Sequence, residues 1–85
     1  MFIGEKIQYL RKENRLSQEQ FAEKIGVSRQ ACSRWEIGDS IPDIENIILI
    51  SKLFNVTTDS LLLDSVNLDT IKVDSVLVEE KRVVK

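Results

Sequence analysis

Residues 16–38 read LSQEQFAEKIGVSRQACSRWEIG, a stretch that predicts two short helices separated by a tight turn. Ser17 and Gln20 have the spacing of a capping box, in which a serine hydroxyl and the side chain three residues later satisfy free N–H groups at a helix start. Gly26 ends the first of these helices, because glycine takes the left-handed backbone conformation without steric cost.

The second helix of this stretch follows at once. Ser28 is its expected N-cap, the helix covers residues 29–36, and Gly38 closes it. Only about three residues join the two helices, and helices joined so tightly form a helix-turn-helix unit. The steep crossing leaves the outer face of the second helix protruding.

Three further helices are predicted around this unit. Apolar residues at helical spacing indicate a helix over residues 4–14. A fourth helix starts at Ile41-Pro42-Asp43 and ends near Phe54-Asn55, and a short fifth helix is capped by Thr57 or Thr58. Five helices in about 60 residues predict a compact all-α domain, which we place at residues 1–65.

The inward phase of each helix predicts a core. Leu10, Phe21 and Trp35 point inward, so we expect them to pack together and not to line a ligand pocket. Cys32 is also expected inside, and no basic neighbour is clearly placed to lower its thiol pKa, so we do not expect a redox sensor. On the last two helices the expected inner residues are Ile44, Ile47, Ile48, Ser51, Phe54, Leu61 and Leu62.

The composition argues against most enzyme chemistry. The 85 residues include no histidine and one cysteine, which leaves neither a histidine-based catalytic pair nor the usual zinc ligands. The three glycines form no phosphate-binding loop. We therefore expect no enzymatic activity, no metal and no cofactor.

Charge and hydropathy bear on location and partners. No apolar run approaches the ~20 residues of a membrane span, and the first residues lack a signal-peptide pattern. A lone cysteine fits a reducing compartment, so we expect a cytoplasmic protein without membrane contact.

The net charge is -2, with seven basic and six acidic residues in 1–40 but five and eight in 41–85. Charge alone does not indicate nucleic-acid binding, although a binder needs only one basic face.

Residues 66–85 differ from the rest of the chain. They contain six valines, and Ile71 and Val73 alternate with polar neighbours, which favours a strand. A hairpin turning at Asp74-Ser75 is one interpretation and a disordered tail is the other. A hairpin this short is marginal in water, so any order must come from packing or from another chain.

Six stretches match one family pattern: residues 7–11, 16–22, 25–30, 35–38, 41–43 and 54–56, which read IQYLR, LSQEQFA, IGVSRQ, WEIG, IPD and FNV. On these stretches, residues 3–63 resemble the Cro and phage-repressor (XRE) family of helix-turn-helix proteins. The resemblance implies a lambda-repressor-like fold that binds duplex DNA, usually as a dimer on an inverted repeat, and controls transcription. Three residues depart from the family pattern: Cys32 replaces a branched aliphatic residue, Ile37 a basic or polar one, and Leu49 a charged one.

The resemblance places the third helix in the major groove, where base edges display a readable pattern of donors and acceptors. By position in the family motif, the expected base-contacting residues are Arg29, Gln30, Ser33 and Arg34. Arginine can donate two bonds to guanine, and glutamine can both donate to and accept from adenine. Arg34 has the alternative of holding a phosphate, and a solvated helix face is the alternative for all four.

Gln18 opens the second helix, where free backbone N–H groups suit a phosphate. In the family this glutamine also braces the first recognition residue, which here is Arg29. The other expected phosphate contacts are Ser28, Lys6, Arg11, Lys12, Lys24 and Asn46.

One recognition helix reads too few base pairs to find a single genomic site, so we expect two-fold pairing. Apolar residues outside the main stripes are predicted to form a self-complementary dimerisation patch: Leu49, Leu53, Leu63 and Val66. Alternatively, the tail folds back over them or pairs with its own copy as an added strand.

The sequence therefore predicts a homodimeric transcriptional regulator, expected to be a repressor, that reads duplex DNA with a recognition helix at about residues 28–36. The alternative is a protein-interaction module, such as an antitoxin or anti-repressor component, that binds a protein partner through the same fold and the tail.

Overall fold

The computed structural model describes residues 1–63, which form five α-helices around one core. These residues contain no strand, so the predicted all-α class is confirmed. The predicted strand or hairpin within 66–85, and Val66 of the predicted dimer patch, lie outside the described residues. The helices are α1 (Ile3–Glu13), α2 (Gln18–Ile25), α3 (Arg29–Ile37), α4 (Ile44–Phe54) and α5 (Thr58–Leu62).

The ends of α2 and α3 are made by the predicted capping residues. The Ser17 hydroxyl accepts from the Gln20 N–H at 3.0 Å, and the Gln20 carboxamide accepts from the Ser17 N–H at 2.8 Å. The Ser28 hydroxyl accepts from the Ala31 N–H at 3.1 Å. Gly26 ends α2 with φ of 91°, a conformation that glycine adopts at little cost. Local signals thus fix both helices of the motif.

Side chains from α1, α2, α3 and α4 meet in the core. Leu10, Phe21, Cys32 and Trp35 are buried, as the sequence predicted. The rings of Phe21 and Phe54 stack with centroids 5.7 Å apart and join α2 to α4. The core thus holds the inner side of α3 and leaves its outer side free.

Three predicted core residues are instead exposed, and this part of the prediction was wrong. Ile44, Ile48 and Leu62 have exposed fractions of 62%, 40% and 45%. Ile50, which was not predicted inside, is fully buried. Because α4 is apolar on nearly every side, periodicity did not single out its inner face. The face that α4 buries is spaced i, i+3, i+4 and i+7: Ile47, Ile50, Ser51 and Phe54.

A close approach of α1 to α3 requires a glycine. A Cβ atom on Gly4 would lie 2.0 Å from the carbonyl oxygen of Trp35, which no side chain tolerates. The backbones therefore meet directly at the start of α1. This contact sets the position of α1 against the inner side of α3.

Candidate nucleic-acid interface

The outer face of α3 brings the four predicted base-contacting residues together. Arg29, Gln30 and Arg34 are exposed and Ser33 is half-buried. Their spacing of i, i+1, i+4 and i+5 places them on one side of the helix. Glu36, the only acidic residue of α3, is buried, so this side is locally positive although the whole chain is not.

A buried carboxylate joins the first three helices. Arg11 donates to Glu36 through Nε at 2.7 Å and through Nη2 at 3.1 Å. The remaining arm of the guanidinium donates to the Leu16 carbonyl at 2.9 Å. Gln8 adds a longer bond to the carboxylate at 3.4 Å. This network ties α1 to α3 and to the segment that starts α2.

Gln18 extends the network to the outer face of α3. Its amide nitrogen donates to Glu36 at 3.0 Å, and its amide oxygen accepts from Arg29 at 3.5 Å. This contact has the geometry that the family resemblance implied for Gln18 and Arg29. The second bond is long for a charged donor, so the guanidinium can turn away from it at small cost. The contact is made by a terminal nitrogen of the guanidinium, so Gln18 directs Arg29 without fixing it.

Two predicted phosphate contacts are wrong. Arg11 is buried, and its guanidinium is bonded to Glu36 and to a backbone carbonyl. Lys6 is fully buried, and its ammonium donates to the Ser60 carbonyl at 2.6 Å and also to the Leu63 carbonyl. Charged side chains usually face solvent, which is why both were placed outside.

The sequence carried a signal for the buried pair. Glu36 follows Trp35 directly and comes one helical turn after Cys32, so it shares their inward phase. Arg11 likewise follows Leu10 and comes one turn after Ile7. Two opposite charges at inward positions of different helices indicate a buried ion pair.

The other residues predicted to contact phosphate differ in their exposure to solvent. Ser28, Lys12 and Lys24 are exposed, whereas Gln18 and Asn46 are half-buried. Asp43 caps α4, because its carboxylate accepts from the backbone N–H of Asn46 at 3.0 Å. Contacts of these residues with phosphate stay predictions.

Cys32 is a core residue with a stable thiol. Burial raises its pKa to about 11, with a further rise from Glu36 and a partial offset from Arg11. The side chain therefore stays protonated at neutral pH and is shielded from reagents.

The family model described as Helix-turn-helix matches residues 7–61, which is more than half of the chain. The chain belongs to this family, in agreement with the resemblance seen in the sequence.

The relatives of this chain include a transcriptional activator, a repressor and an antitoxin. The HTH-type transcriptional activator BcrR of Enterococcus faecalis is 50% identical over 62 residues, which cover 73% of this chain and 30% of that protein. Repressor protein C2 of Salmonella phage P22 is 35% identical over 60 residues, covering 71% and 28%. Antitoxin PezA of Streptococcus pneumoniae is 44% identical over 55 residues, covering 65% and 35%. The match thus spans only about a third of the length of these relatives.

Solved structures share the fold. The P22 c2 repressor in complex with synthetic operator 9T has a TM-score of 0.70 and 34% identity, covering 73% of this chain and 94% of that chain. The SinR protein/SinI protein complex gives a TM-score of 0.71 and 27% identity, covering 95% and 88%. The five helices therefore have the arrangement of a phage-repressor DNA-binding domain.

Residues 1–63 contain neither a membrane-spanning helix nor a metal-binding cluster. None of the helices there is long and apolar enough to cross a membrane. The same residues contain no cluster of three or more side chains able to hold a metal ion.

Proposed function

We propose that this protein binds duplex DNA sequence-specifically and regulates transcription, with α3 lying in the major groove. The observation that carries the proposal is the polar outer face of α3, held in place from below by the Arg11–Glu36–Gln18 network. A helix fits the major groove, where its outward side chains reach the base edges.

The side chains divide into two roles. Arg29 and Gln30 contact bases, and Ser33 and Arg34 extend the contact along the same face. Backbone phosphates are held around this helix and fix its register without reading sequence. The phosphate-contacting residues of the proposal are Gln18, Ser28, Lys12, Lys24 and Asn46.

The relatives support this proposal by their names. The P22 c2 repressor was solved on an operator, and it shares the fold at 34% identity. Because the relatives include an activator as well as a repressor, the proposal covers regulation in either direction. We further propose a homodimer on an inverted repeat, since two recognition helices about 34 Å apart double the site that is read.

Base reading and phosphate binding make different predictions for substitution. Gln30→Ala should cost about 1–3 kcal/mol per half-site and relax the preference at one base pair of each half-site. Lys12→Ala should weaken binding to all duplexes alike and lower the salt dependence by about one ion per half-site. Fluorescence anisotropy with a set of single-base-pair variants measures both. If Gln30→Ala lowered the affinity for every duplex by the same factor, Gln30 would have no role in base reading.

A protein-interaction module is the second candidate, favoured by the similarity to antitoxin PezA. The dependence of binding on salt concentration distinguishes the two candidate functions. Binding dominated by phosphates falls by orders of magnitude between 50 and 200 mM salt, whereas binding through an apolar protein interface changes little. Affinity for duplex DNA that is weak and insensitive to salt would favour the second candidate.

A further inference from the structure

The side of α4 that faces away from the core has a regular pattern of its own. Glu45, Ile48, Leu49 and Lys52 are all exposed and are spaced i, i+3, i+4 and i+7, which places them on one face. Ile48 and Leu49, at the middle, have exposed fractions of 40% and 45%. We call these four residues the outer α4 face. It holds two adjoining apolar side chains with a negative charge one turn before them and a positive charge one turn after them.

The two charges are available for a partner. The ion pair found among residues 1–63 joins Arg11 to Glu36, and neither Glu45 nor Lys52 has an ionic partner within these residues. An apolar centre between two unpaired opposite charges is self-complementary. A second copy turned by 180° presents its positive end to the negative end of the first.

We propose that two copies of this chain associate through the outer α4 face, with the two α4 helices antiparallel. This inference rests on the dimer of the proposed function but not on base reading. The two-fold axis passes between Ile48 and Leu49, so these side chains pack against the same pair of the second copy. Glu45 then faces Lys52 of the second copy, and the contact is made twice.

The charges decide the direction of the helices. In a parallel pair, Glu45 would face Glu45 of the second copy and Lys52 would face Lys52, and like charges repel at packing distance. The antiparallel pair converts both contacts into attractions while burying Ile48 and Leu49. Helices pack at 8–10 Å between axes, a separation that lysine and glutamate side chains bridge.

The interface differs from the dimer patch predicted from sequence. Leu49 belongs to both, but Leu53 is only partly exposed and packs against the core, so it has little surface to offer. Ile48 was expected in the core but is exposed, and it lies at the centre of the proposed interface. Leu63 is exposed at the end of α5 and is not part of the outer α4 face.

Charge reversal tests the proposal on the full chain. Sedimentation velocity without DNA would compare the wild type with Glu45→Lys, Lys52→Glu, the double variant carrying both changes, and an equal mixture of the two single variants. Each single variant should dimerise at least about tenfold more weakly, because two attractive contacts become repulsive. The double variant and the mixture should regain affinity to within about threefold of the wild type.

Apolar variants provide a matched control. Ile48→Ser should weaken dimerisation, whereas Ile37→Ser should not, because Ile37 is an exposed isoleucine at the end of α3 and is not part of α4. Thermal unfolding by circular dichroism checks that all variants remain folded.

Several results would overturn the interface: a wild type that is monomeric throughout, single charge variants that dimerise like the wild type, or a mixture no tighter than either single variant. Loss of association only on deletion of residues 64–85 would assign the dimer to the tail instead. Binding to a duplex with one half-site is measured separately. Dimerisation without any half-site binding would refute the proposed function alone, and half-site binding by a protein that does not dimerise would refute the interface alone.

Discussion

Cys32 lies on the inner side of α3, where its surroundings penalise a negative charge. Burial is the main reason that its pKa rises from 9.0 to about 11, and the neighbouring Glu36 carboxylate adds to the rise. In the unfolded chain the thiol keeps its ordinary pKa. Folding is therefore coupled to the proton of this one side chain.

The coupling predicts a loss of stability at alkaline pH. The contribution of Cys32 is fully present below pH 9 and is lost as pH rises towards 11, because the unfolded chain releases the thiol proton first. At about pH 10.5 the loss should be ~2 kcal/mol. Urea unfolding of the wild type and of Cys32→Val at pH 8 and at this pH measures it. All other residues are the same in both proteins, so the difference isolates Cys32, and identical pH dependence would contradict the buried thiol.

At the scale of helices, the Arg11–Glu36 pair clamps α1, α2 and α3 together. The two side chains are 11% and 1% exposed, so loss of one leaves the other charged in a dry site. We predict that Arg11→Met lowers the free energy of unfolding by about 3–5 kcal/mol. Lys12→Met, which changes the neighbouring exposed residue, should alter it by less than about 0.5 kcal/mol.

Urea denaturation of both variants checks this prediction. Replacing both partners, as in Arg11→Met with Glu36→Leu, should recover part of the loss because no unpaired charge remains. An Arg11→Met protein as stable as Lys12→Met would show that the clamp contributes little.

Local signals made the helices of the motif predictable. Ser17, Gly26 and Ser28 act on groups within a few residues, so their effect can be inferred from the sequence alone. The inner face of α4 could not be inferred in this way, because apolar residues surround that helix. The spacing of its buried residues became clear only from what α4 packs against.

The residues of the candidate interface could be predicted where their exposure follows from the helical phase of α3. The exposed positions Arg29, Gln30 and Arg34 follow from it, and the contact of Gln18 with Arg29 was implied by the family resemblance. Lys6 and Arg11 were misplaced because their partners are distant in sequence. Their bonds reach carbonyl and carboxylate oxygens 54 and 25 residues away. Roles towards bases and phosphates stay predictions.

At the scale of the molecule, one core supports two outward faces with different chemistry. The outer face of α3 is polar and positive, although the chain as a whole carries a net charge of -2. Attraction to phosphates is local at physiological salt, so the sign of the whole chain does not oppose binding by this face. The outer α4 face has an apolar centre between one negative and one positive charge that lack partners within residues 1–63, which suits a second copy of the chain.

The most direct test of DNA reading by α3 is selection of binding sites from a randomised duplex library with the purified full chain. We predict enrichment of an inverted repeat whose half-sites lie about one helical turn, or a multiple of it, apart. Repeating the selection with Gln30→Ala should change the preference at one position of each half-site. Folded protein that enriches no sequence at low salt would contradict the proposed DNA reading.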